Sequence, residues 1–173
     1  REHRLGRAPI DWSSFAMPLM HQLLIRPAEE LAQICEVTEG LEYRLKQALP
    51  RLKDRPSVEE LLRLLKTKRY TRTKLQRTLT RILLHHDKQS LSPERLRRGA
   101  GYLRVLGFSG TGRELLKRMK TAAKVPVVVQ PAGNAVTDFL AMDIQAASVY
   151  ALAYERPTQQ DLFRDYYQPP IRV

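Results

Sequence analysis

Apolar residues recur at helical spacing through the first half of this sequence, and this pattern limits the possible folds more than any other feature. Two of the stripes are Leu41, Leu45, Ala48, and Leu75, Leu79, Ile82. The side chains of Thr38, Ser57 and Thr71 precede such stripes and are expected to cap helices, the first running through Gln47. Residues 1–90 are therefore predicted to form a helical, basic region around one core.

The pattern changes after Ser92-Pro93. Residues 102–106 are rich in β-forming side chains, residues 113–122 have an amphipathic helical pattern, and residues 125–129 are a β-branched run. This order predicts a small βαβ-like unit, followed by a long helix from Asp138 to Tyr154 and a tail rich in aromatic residues and proline. The predicted fold class is α+β and mostly α-helical, with a first region 1–90 and a small α/β region 91–173.

The charge of the chain indicates a polyanionic partner. Lys and Arg number 30 against 18 Asp and Glu, which gives a formal net charge of +12 and favours nucleic acid or an anionic membrane surface. No apolar run approaches the roughly 20 residues that cross a bilayer, so we expect no membrane partner. The single cysteine, Cys35, excludes an internal disulfide and is typical of a cytoplasmic protein.

The strongest local signal is a basic block with no acidic residue between Glu60 and Asp87. It contains Arg63, Lys66, Lys68, Arg69, Arg72, Lys74, Arg77 and Arg81, with Tyr70 among them as a possible stacking surface. One interpretation is a solvated basic helix face. The absence of interleaved acids favours the other, a surface that contacts phosphates, since solvated faces usually mix both signs.

A second basic cluster surrounds Arg104 and Arg113 in the α/β region. Between them, residues 107–112 form a glycine-bearing stretch, Gly-Phe-Ser-Gly-Thr-Gly, ahead of a predicted helix. Such a loop can bind phosphate through backbone N–H groups, but Arg113 and Glu114 stand where a Walker A loop needs Lys and Ser or Thr. A structural turn is the favoured interpretation, and phosphate binding stays open.

No catalytic or metal-binding constellation is predicted. His85 and His86 are adjacent, so on a helix they point about 100° apart and cannot share one metal ion. Neither a metal-ligand spacing nor a nucleophile elbow occurs in the sequence. The residues therefore indicate binding rather than a reaction.

Three segments carry a resemblance to a known family. They are Thr-Glu-Gly-Leu-Glu-Tyr-Arg-Leu at 38–45, Leu-Lys-Thr-Lys-Arg-Tyr-Thr-Arg at 65–72, and Arg-Val-Leu-Gly-Phe at 104–108 with Gly112-Arg113. With them, the chain resembles the C-terminal portion of the bacterial tRNA(Met) cytidine acetate ligase family over most of residues 10–155. Members of that family activate acetate with ATP and form N4-acetylcytidine at the wobble position of elongator tRNA(Met).

The resemblance implies a role in holding tRNA. That family's His-x-Gly-His signature belongs to an N-terminal catalytic domain, and the four histidines here, at 3, 21, 85 and 86, cannot supply it. ATP and acetate are therefore implied for full-length members, with no cofactor expected in this chain and its activity alone left uncertain. The expected tRNA contacts are Lys66, Lys68, Arg69, Arg72, Lys74 and Arg77, with Tyr70 stacking or positioning and Arg104 and Arg113 as a second anchor.

Two alternatives remain. The basic motif could pack against the family's own N-terminal catalytic domain or its adenylate, which would make the chain a protein interaction module. Salt dependence separates this alternative from tRNA binding, because phosphate contacts weaken steeply with added salt. A generic binder of double-stranded DNA is disfavoured, since no helix-turn-helix or zinc module is evident.

Overall fold

The computed structural model describes residues 10–53, 55–132 and 137–173. These residues form two compact units. The first comprises residues up to Pro93 together with Ala153–Glu155, and the second comprises Glu94–Leu152 and Arg156–Val173. The predicted class, α+β and mostly helical, is confirmed.

Helices dominate both units. In the first they are α1 (Ala16–Ile25), α2 (Ala28–Leu31), α3 (Leu41–Ala48), α4 (Val58–Leu65) and α5 (Arg72–Leu83), with 3-10 turns at Trp12–Phe15 and Leu49–Arg51. The second contains α6 (Pro93–Arg97), which starts at the boundary residue, α7 (Gly110–Ala122), α8 (Asp138–Ala151), α9 (Gln159–Leu162) and α10 (Arg164–Tyr167). Among the described residues, no helix is long and apolar enough to cross a membrane.

Local capping sets most of the helix starts. Thr71 accepts a hydrogen bond from the Lys74 amide at 3.3 Å, and Ser57 accepts one from the Glu60 amide at 3.3 Å, as predicted. The expectation for Thr38 is wrong. Helix α3 begins only after Gly40, which has φ of 78° and no capping side chain, because the chain first makes a left-handed turn.

The core of the first unit is a continuous cluster of aliphatic side chains from all five helices. Its largest fully buried members are Leu19, Leu23, Leu31, Ile34, Leu41, Leu45, Leu61, Leu62, Leu65, Leu75, Leu79 and Ile82. Helix α1 packs against α5, and α3 packs against α4. Removing this apolar area from water supplies the main stabilisation, because each fully buried leucine or isoleucine contributes about 1.5–3 kcal/mol.

Helix α5 ends in a left-handed turn that ties it to the segment after α2. His85 has φ of 54°, and the His86 amide donates to the Arg81 carbonyl at 2.9 Å, which closes a Schellman motif. The His86 carbonyl then accepts from the Cys35 amide at 2.8 Å, beside an antiparallel bridge between Ile34 and Asp87. The end of α5 and the segment after α2 are thereby joined through backbone hydrogen bonds.

The second unit contains the expected βαβ element. Strand β1 (Leu103–Arg104) pairs in parallel with β3 (Val127–Val128), and α7 lies between them in the chain. A second parallel pair joins β2 (Gly107–Phe108) to β4 (Ile171–Arg172) in the tail. The sequence analysis did not predict β4, because a two-residue strand leaves no periodic signal.

The glycine-bearing stretch 107–112 is not a loop. Gly107 belongs to β2, Ser109 caps α7 by accepting from the Gly112 amide at 3.2 Å, and the helix itself starts at Gly110. A Cβ atom at Gly107 would lie 3.1 Å from the Ile171 carbonyl oxygen. The glycine is therefore explained by the close approach of β4.

Candidate nucleic-acid interface

The basic block lies mainly on the turn between α4 and α5 and on the first half of α5. The Thr67 amide donates to the Tyr70 carbonyl at 3.1 Å, and the Tyr70 amide donates to Thr67 Oγ1 at 3.0 Å. These two bonds fold residues 67–70 into a compact turn. The exposed cations from the end of α4 to the first half of α5 are Lys66, Lys68, Arg69, Arg72 and Arg77, and we call them the cationic ridge.

Tyr70 is buried, so the expectation that its ring offers a stacking surface is wrong. Only 3% of the residue is exposed. Its hydroxyl donates to the Thr38 carbonyl at 3.0 Å, and the Arg44 guanidinium and Lys74 ammonium lie 5.3 and 5.0 Å from its ring centroid. Burial, with the nearby Glu39 charge, raises the pKa of the phenol. Tyr70 positions the turn, and Lys74 is partly withdrawn from the surface by its contact with the ring.

Three arginines of the cationic ridge contact carboxylates that come from elsewhere in the first unit. Arg69 pairs with Glu39. Arg72 makes a bidentate pair with Glu59, with nitrogen to oxygen distances of 2.5 and 2.6 Å. Arg77 Nε lies 2.6 Å from an oxygen of Glu36, whose other oxygen lies 3.4 Å from Arg81. Four arginines of the block without local acids, Arg69, Arg72, Arg77 and Arg81, are therefore paired with acids that are distant in the sequence, which the sequence analysis missed.

The backbone around two of these acids is held in the left-handed region. Glu36 has φ of 68° and Glu39 has φ of 60°. Such a conformation costs a residue with a Cβ atom about 1–2 kcal/mol, so the surrounding contacts hold both turns in place. Both carboxylates thus approach α5 and the turn before it from the α2–α3 segment.

These ion pairs are exposed and can exchange partners. The side chains of Arg69 and Arg77 are 69% and 55% exposed. Hydrogen bonds from Arg72 lower the pKa of Glu59, and the same bonds raise the pKa of Arg72, so both groups stay charged at neutral pH. Exposed pairs contribute little to folding, which leaves the guanidinium groups free to turn toward phosphate.

Two lysines of the cationic ridge are not compensated. Lys66 and Lys68 are exposed, and no carboxylate among the described residues lies within 4.0 Å of either ammonium group. Neither residue therefore gives up an existing ion pair when it meets an anion. Of the cations of the block, these two should therefore lose the least free energy from broken ion pairs when they contact a phosphate.

Arg104 is a structural residue and not an exposed anchor. Only 14% of its side chain is exposed, and its guanidinium contacts the Asp143 carboxylate at 2.9 Å. The same group contacts the Asp165 carbonyl at 2.8 Å and the Asp165 carboxylate at 3.2 Å. It therefore ties β1 to α8 and α10. Arg113 differs, because it is exposed in the first turns of α7.

An open cleft of about 340 Å³ lies next to the cationic ridge in the first unit. Trp12 lines it from the 3-10 turn, Ser57 and Glu59 line it from the start of α4, and Arg72 lines it from the start of α5. Arg72 therefore belongs both to the cationic ridge and to the cleft. The sequence analysis did not single out Trp12, because one aromatic residue before a helix carries no pattern.

His86 lies just beyond the end of α5. Its ring is partly buried, and its Nε2 atom finds no hydrogen-bond partner among the residues that the structure describes. Burial, and next the charge of Arg81, lower the pKa of the imidazole. Within the described ranges, no group of three or more His, Cys, Asp or Glu side chains could hold a metal ion.

Comparison with protein families gives a match over almost the whole chain. The model of a family described as HIGH Nucleotidyl Transferase matches residues 1–165. This extent does not support the expectation that the chain lies outside the nucleotidyltransferase part of the family. The His-x-Gly-His spacing is nevertheless absent from its 173 residues.

Curated relatives are named as tRNA(Met) cytidine acetate ligases. The protein of Syntrophomonas wolfei is 33% identical over 181 residues, which cover 99% of this chain and 42% of the relative. The protein of Bacillus subtilis is 37% identical over 165 residues, which cover 92% of this chain and 38% of the relative. The chain thus spans about two fifths of the length of these relatives.

Solved structures show the same fold. The crystal structure of Thermotoga maritima TmcAL bound with alpha-thio ATP matches with a TM-score of 0.82 and 24% identity, over 100% of this chain and 44% of that one. The apo form of the same protein also matches with a TM-score of 0.82, over 43% of its chain.

Proposed function

Since the chain belongs to the HIGH nucleotidyl transferase family, we propose that it is the tRNA-binding region of an ATP-dependent tRNA(Met) cytidine acetate ligase. In this proposal the cationic ridge holds the tRNA backbone while the adenylating part of the enzyme uses ATP and acetate to form N4-acetylcytidine. The relatives named above support the reaction, and the net charge of +12 supports the nucleic-acid partner. We place the protein in the cytoplasm, where tRNA is modified.

One observation carries the proposal: two exposed lysines, Lys66 and Lys68, lie beside arginines whose partners can be exchanged. Neither lysine pairs with a carboxylate of the residues that the structure describes, so a phosphate that approaches them displaces none of those carboxylates. Arg69 and Arg72 can then exchange Glu39 and Glu59 for phosphate oxygens, since an arginine binds both groups in the same bidentate geometry. Arg77 and the exposed Arg113 complete the set of proposed phosphate contacts, which contains neither Tyr70 nor Arg104.

The test is the affinity for tRNA at two salt concentrations. Replacing both lysines, Lys66→Gln and Lys68→Gln, should weaken binding and reduce the slope of log affinity against log salt by about 0.7–0.9 per lost contact. The matched control is Arg51→Gln with Lys53→Gln, which removes the same charge from exposed positions of the same unit. An equal loss in both double variants would mean that net charge alone drives binding.

A second function is favoured by the same ion pairs. Arg69, Arg72 and Arg77 already bind carboxylates in this structure, so the cationic ridge also fits an acidic protein surface, including that of an N-terminal catalytic domain. A flat salt response together with tight binding to that domain would favour this protein interaction module over tRNA binding.

The proposal also makes a prediction about the enzymatic activity of the chain alone. Because its four histidines cannot form a His-x-Gly-His motif, we expect the purified chain to bind tRNA without consuming ATP in the presence of acetate. Acetate-dependent release of pyrophosphate by the purified chain would contradict this expectation.

A further inference from the structure

We propose that residues 36–40 are an internal competitor for RNA, which covers two arginines of the cationic ridge at once and releases them together. We call this segment the acidic arm, since it carries Glu36 and Glu39. The inference rests on the proposed function and adds a step to it. A phosphate chain that binds along the cationic ridge displaces the whole acidic arm, so binding is coupled to a local opening of the first unit.

One short segment supplies both carboxylates. Glu36 contacts Arg77 Nε at 2.6 Å in the middle of α5, and it contacts Arg81 at 3.4 Å in the last turn of that helix. Glu39, on the same segment, pairs with Arg69 in the turn before α5. A ligand that extends from that turn onto the helix therefore meets two carboxylates that belong to one piece of backbone.

The backbone of the acidic arm is held in an unfavourable conformation. Glu36, Glu39 and Gly40 have φ of 68°, 60° and 78°. Glycine adopts such values readily, whereas a residue with a Cβ atom is strained by them and needs surrounding contacts to stay there. The ion pairs with the arginines are among these contacts. When both ion pairs are lost, the strain favours opening of the acidic arm.

Backbone hydrogen bonds make the acidic arm behave as one body. The Val37 amide donates to the Ile34 carbonyl at 3.1 Å, and the Leu41 amide donates to the Thr38 carbonyl at 3.1 Å. The same carbonyl accepts from the Tyr70 hydroxyl at 3.0 Å. The side chain of Val37 is buried in the core cluster. The positions of the two glutamates are therefore linked through the residues between them.

This linkage makes partial displacement unfavourable. If a phosphate takes Arg69 while the Glu36 ion pairs still hold the acidic arm, the Glu39 carboxylate stays near the phosphate and repels it. If the ligand also takes Arg77, both ends of the acidic arm lose their partners and both carboxylates can leave. The cationic ridge therefore favours a ligand with several linked phosphates, such as RNA, over separate small anions.

Arg72 provides the contrast, because its ion pair is independent of the acidic arm. Its partner Glu59 lies in the first turn of α4, in regular helical backbone. A phosphate can displace Glu59 by a change of side-chain rotamer alone. Glu59→Gln is thus the matched control for Glu36→Gln, since each variant removes one carboxylate that pairs with α5.

Amide hydrogen exchange of the complete chain, read by mass spectrometry at single-residue resolution, measures the linkage. Glu36→Gln should speed exchange of the Leu41 amide, at the opposite end of the acidic arm, by about two- to thirtyfold, as expected for the loss of two ion pairs. Glu59→Gln should leave this rate unchanged. Unchanged exchange of the Leu41 amide in Glu36→Gln would mean that the two glutamates act independently, and would overturn the inference.

The unaltered chain allows a second measurement that needs no variant. Titration with a tRNA(Met) transcript should speed exchange of the Val37 and Leu41 amides together, with the same dependence on concentration. Sodium chloride at matched ionic strength is the control and should change both rates less, because it screens the ion pairs without replacing the carboxylates. A response of only one of the two amides would overturn the coupled displacement.

The outcomes also distinguish this inference from the proposed function. If the transcript binds, and binding is weakened by Lys66→Gln with Lys68→Gln, but exchange of both amides stays unchanged, the acidic arm is not a competitor and the proposed function stands. If the transcript does not bind at all, both proposals are overturned.

Discussion

The two units differ in how they use arginine. In the first unit, Arg69 and Arg72 lie on the surface in ion pairs that water and other anions can reach. In the second, Arg104 is largely buried and contacts two aspartates and a carbonyl. A cluster of basic residues in a sequence can therefore be a binding surface in one unit and part of the internal support in the other. Burial decides between the two roles.

The units also differ in how much apolar surface they bury. The first has a continuous cluster of fully buried leucines and isoleucines, whereas the buried apolar residues described in the second are Val128, Pro131, Leu140 and Ala151. Helix α7 buries none of its residues. We expect the second unit to open at a lower free energy than the first, because opening free energy follows buried apolar contact.

The largest expected effect tests this difference in burial. Leu79→Ala in the first unit should destabilise the chain by about 2–5 kcal/mol, because Leu79 is fully buried in the core cluster. Leu115→Ala on α7 is the matched control and should change stability by less than about 0.5 kcal/mol, since Leu115 is 58% exposed. Urea unfolding of both variants measures the difference. An equal loss of stability in the two variants would contradict the conclusion that the first unit buries more apolar surface than the second.

The next effect tests the two roles of arginine within the second unit. Arg104→Met should cost about 1–3 kcal/mol, because it leaves the Asp143 and Asp165 groups without their donor. Arg113→Met, at an exposed position, should leave the unfolding midpoint nearly unchanged and weaken tRNA binding instead. If Arg104→Met lowers only the affinity for tRNA, the structural role of Arg104 is wrong.

A smaller effect concerns the acids that pair with the cationic ridge. Glu39→Gln should raise tRNA affinity by about two- to fivefold, because it frees Arg69 and removes a charge that repels phosphate. Glu29→Gln removes the same charge from an exposed position of α2 and serves as the control. Filter binding at one salt concentration measures both. If Glu29→Gln raises the affinity for tRNA as much as Glu39→Gln does, the change in net charge explains the effect.

The smallest effect is a pH dependence of the first unit. Because the pKa of His86 is lowered in the folded chain, the unfolded chain takes up a proton first as pH falls below the ordinary value of 6.5. Stability should therefore decrease in that window, by less than about 1.4 kcal/mol per pH unit for one proton. His86→Gln should flatten the profile, and the exposed His21→Gln should not. If the stability of His86→Gln depends on pH as that of the wild type does, His86 does not cause the decrease in stability.

The elements that could be predicted depend on neighbours in the sequence. Thr71 and Ser57 cap their helices through bonds that reach three residues ahead, and the βαβ order follows from consecutive periodic segments. The contacts of the candidate site reach much further. Glu36 lies 41 residues before Arg77, and Gly107 pairs with Ile171. No local pattern encodes such partners, so the compensation of the basic block appears only in the folded chain.

The burial of Tyr70 illustrates the same limit. Its position among exposed cations indicated an exposed ring, yet its hydroxyl reaches the carbonyl of Thr38, 32 residues earlier. Conversely, the cleft at Trp12 depends on residues from the start of α4 and α5 that sequence reasoning had treated only as caps and charges. The charge of the surface could be predicted, but the burial of Tyr70 within it could not.

The return of Ala153–Glu155 to the first unit has a consequence for biosynthesis. The first unit gains these residues, including the buried Tyr154, only after the whole segment Glu94–Leu152 has been translated. At ~5–20 residues per second, that segment takes the ribosome about 3–12 s. During this interval the nascent helical unit lacks one of its buried aromatic side chains, Tyr154.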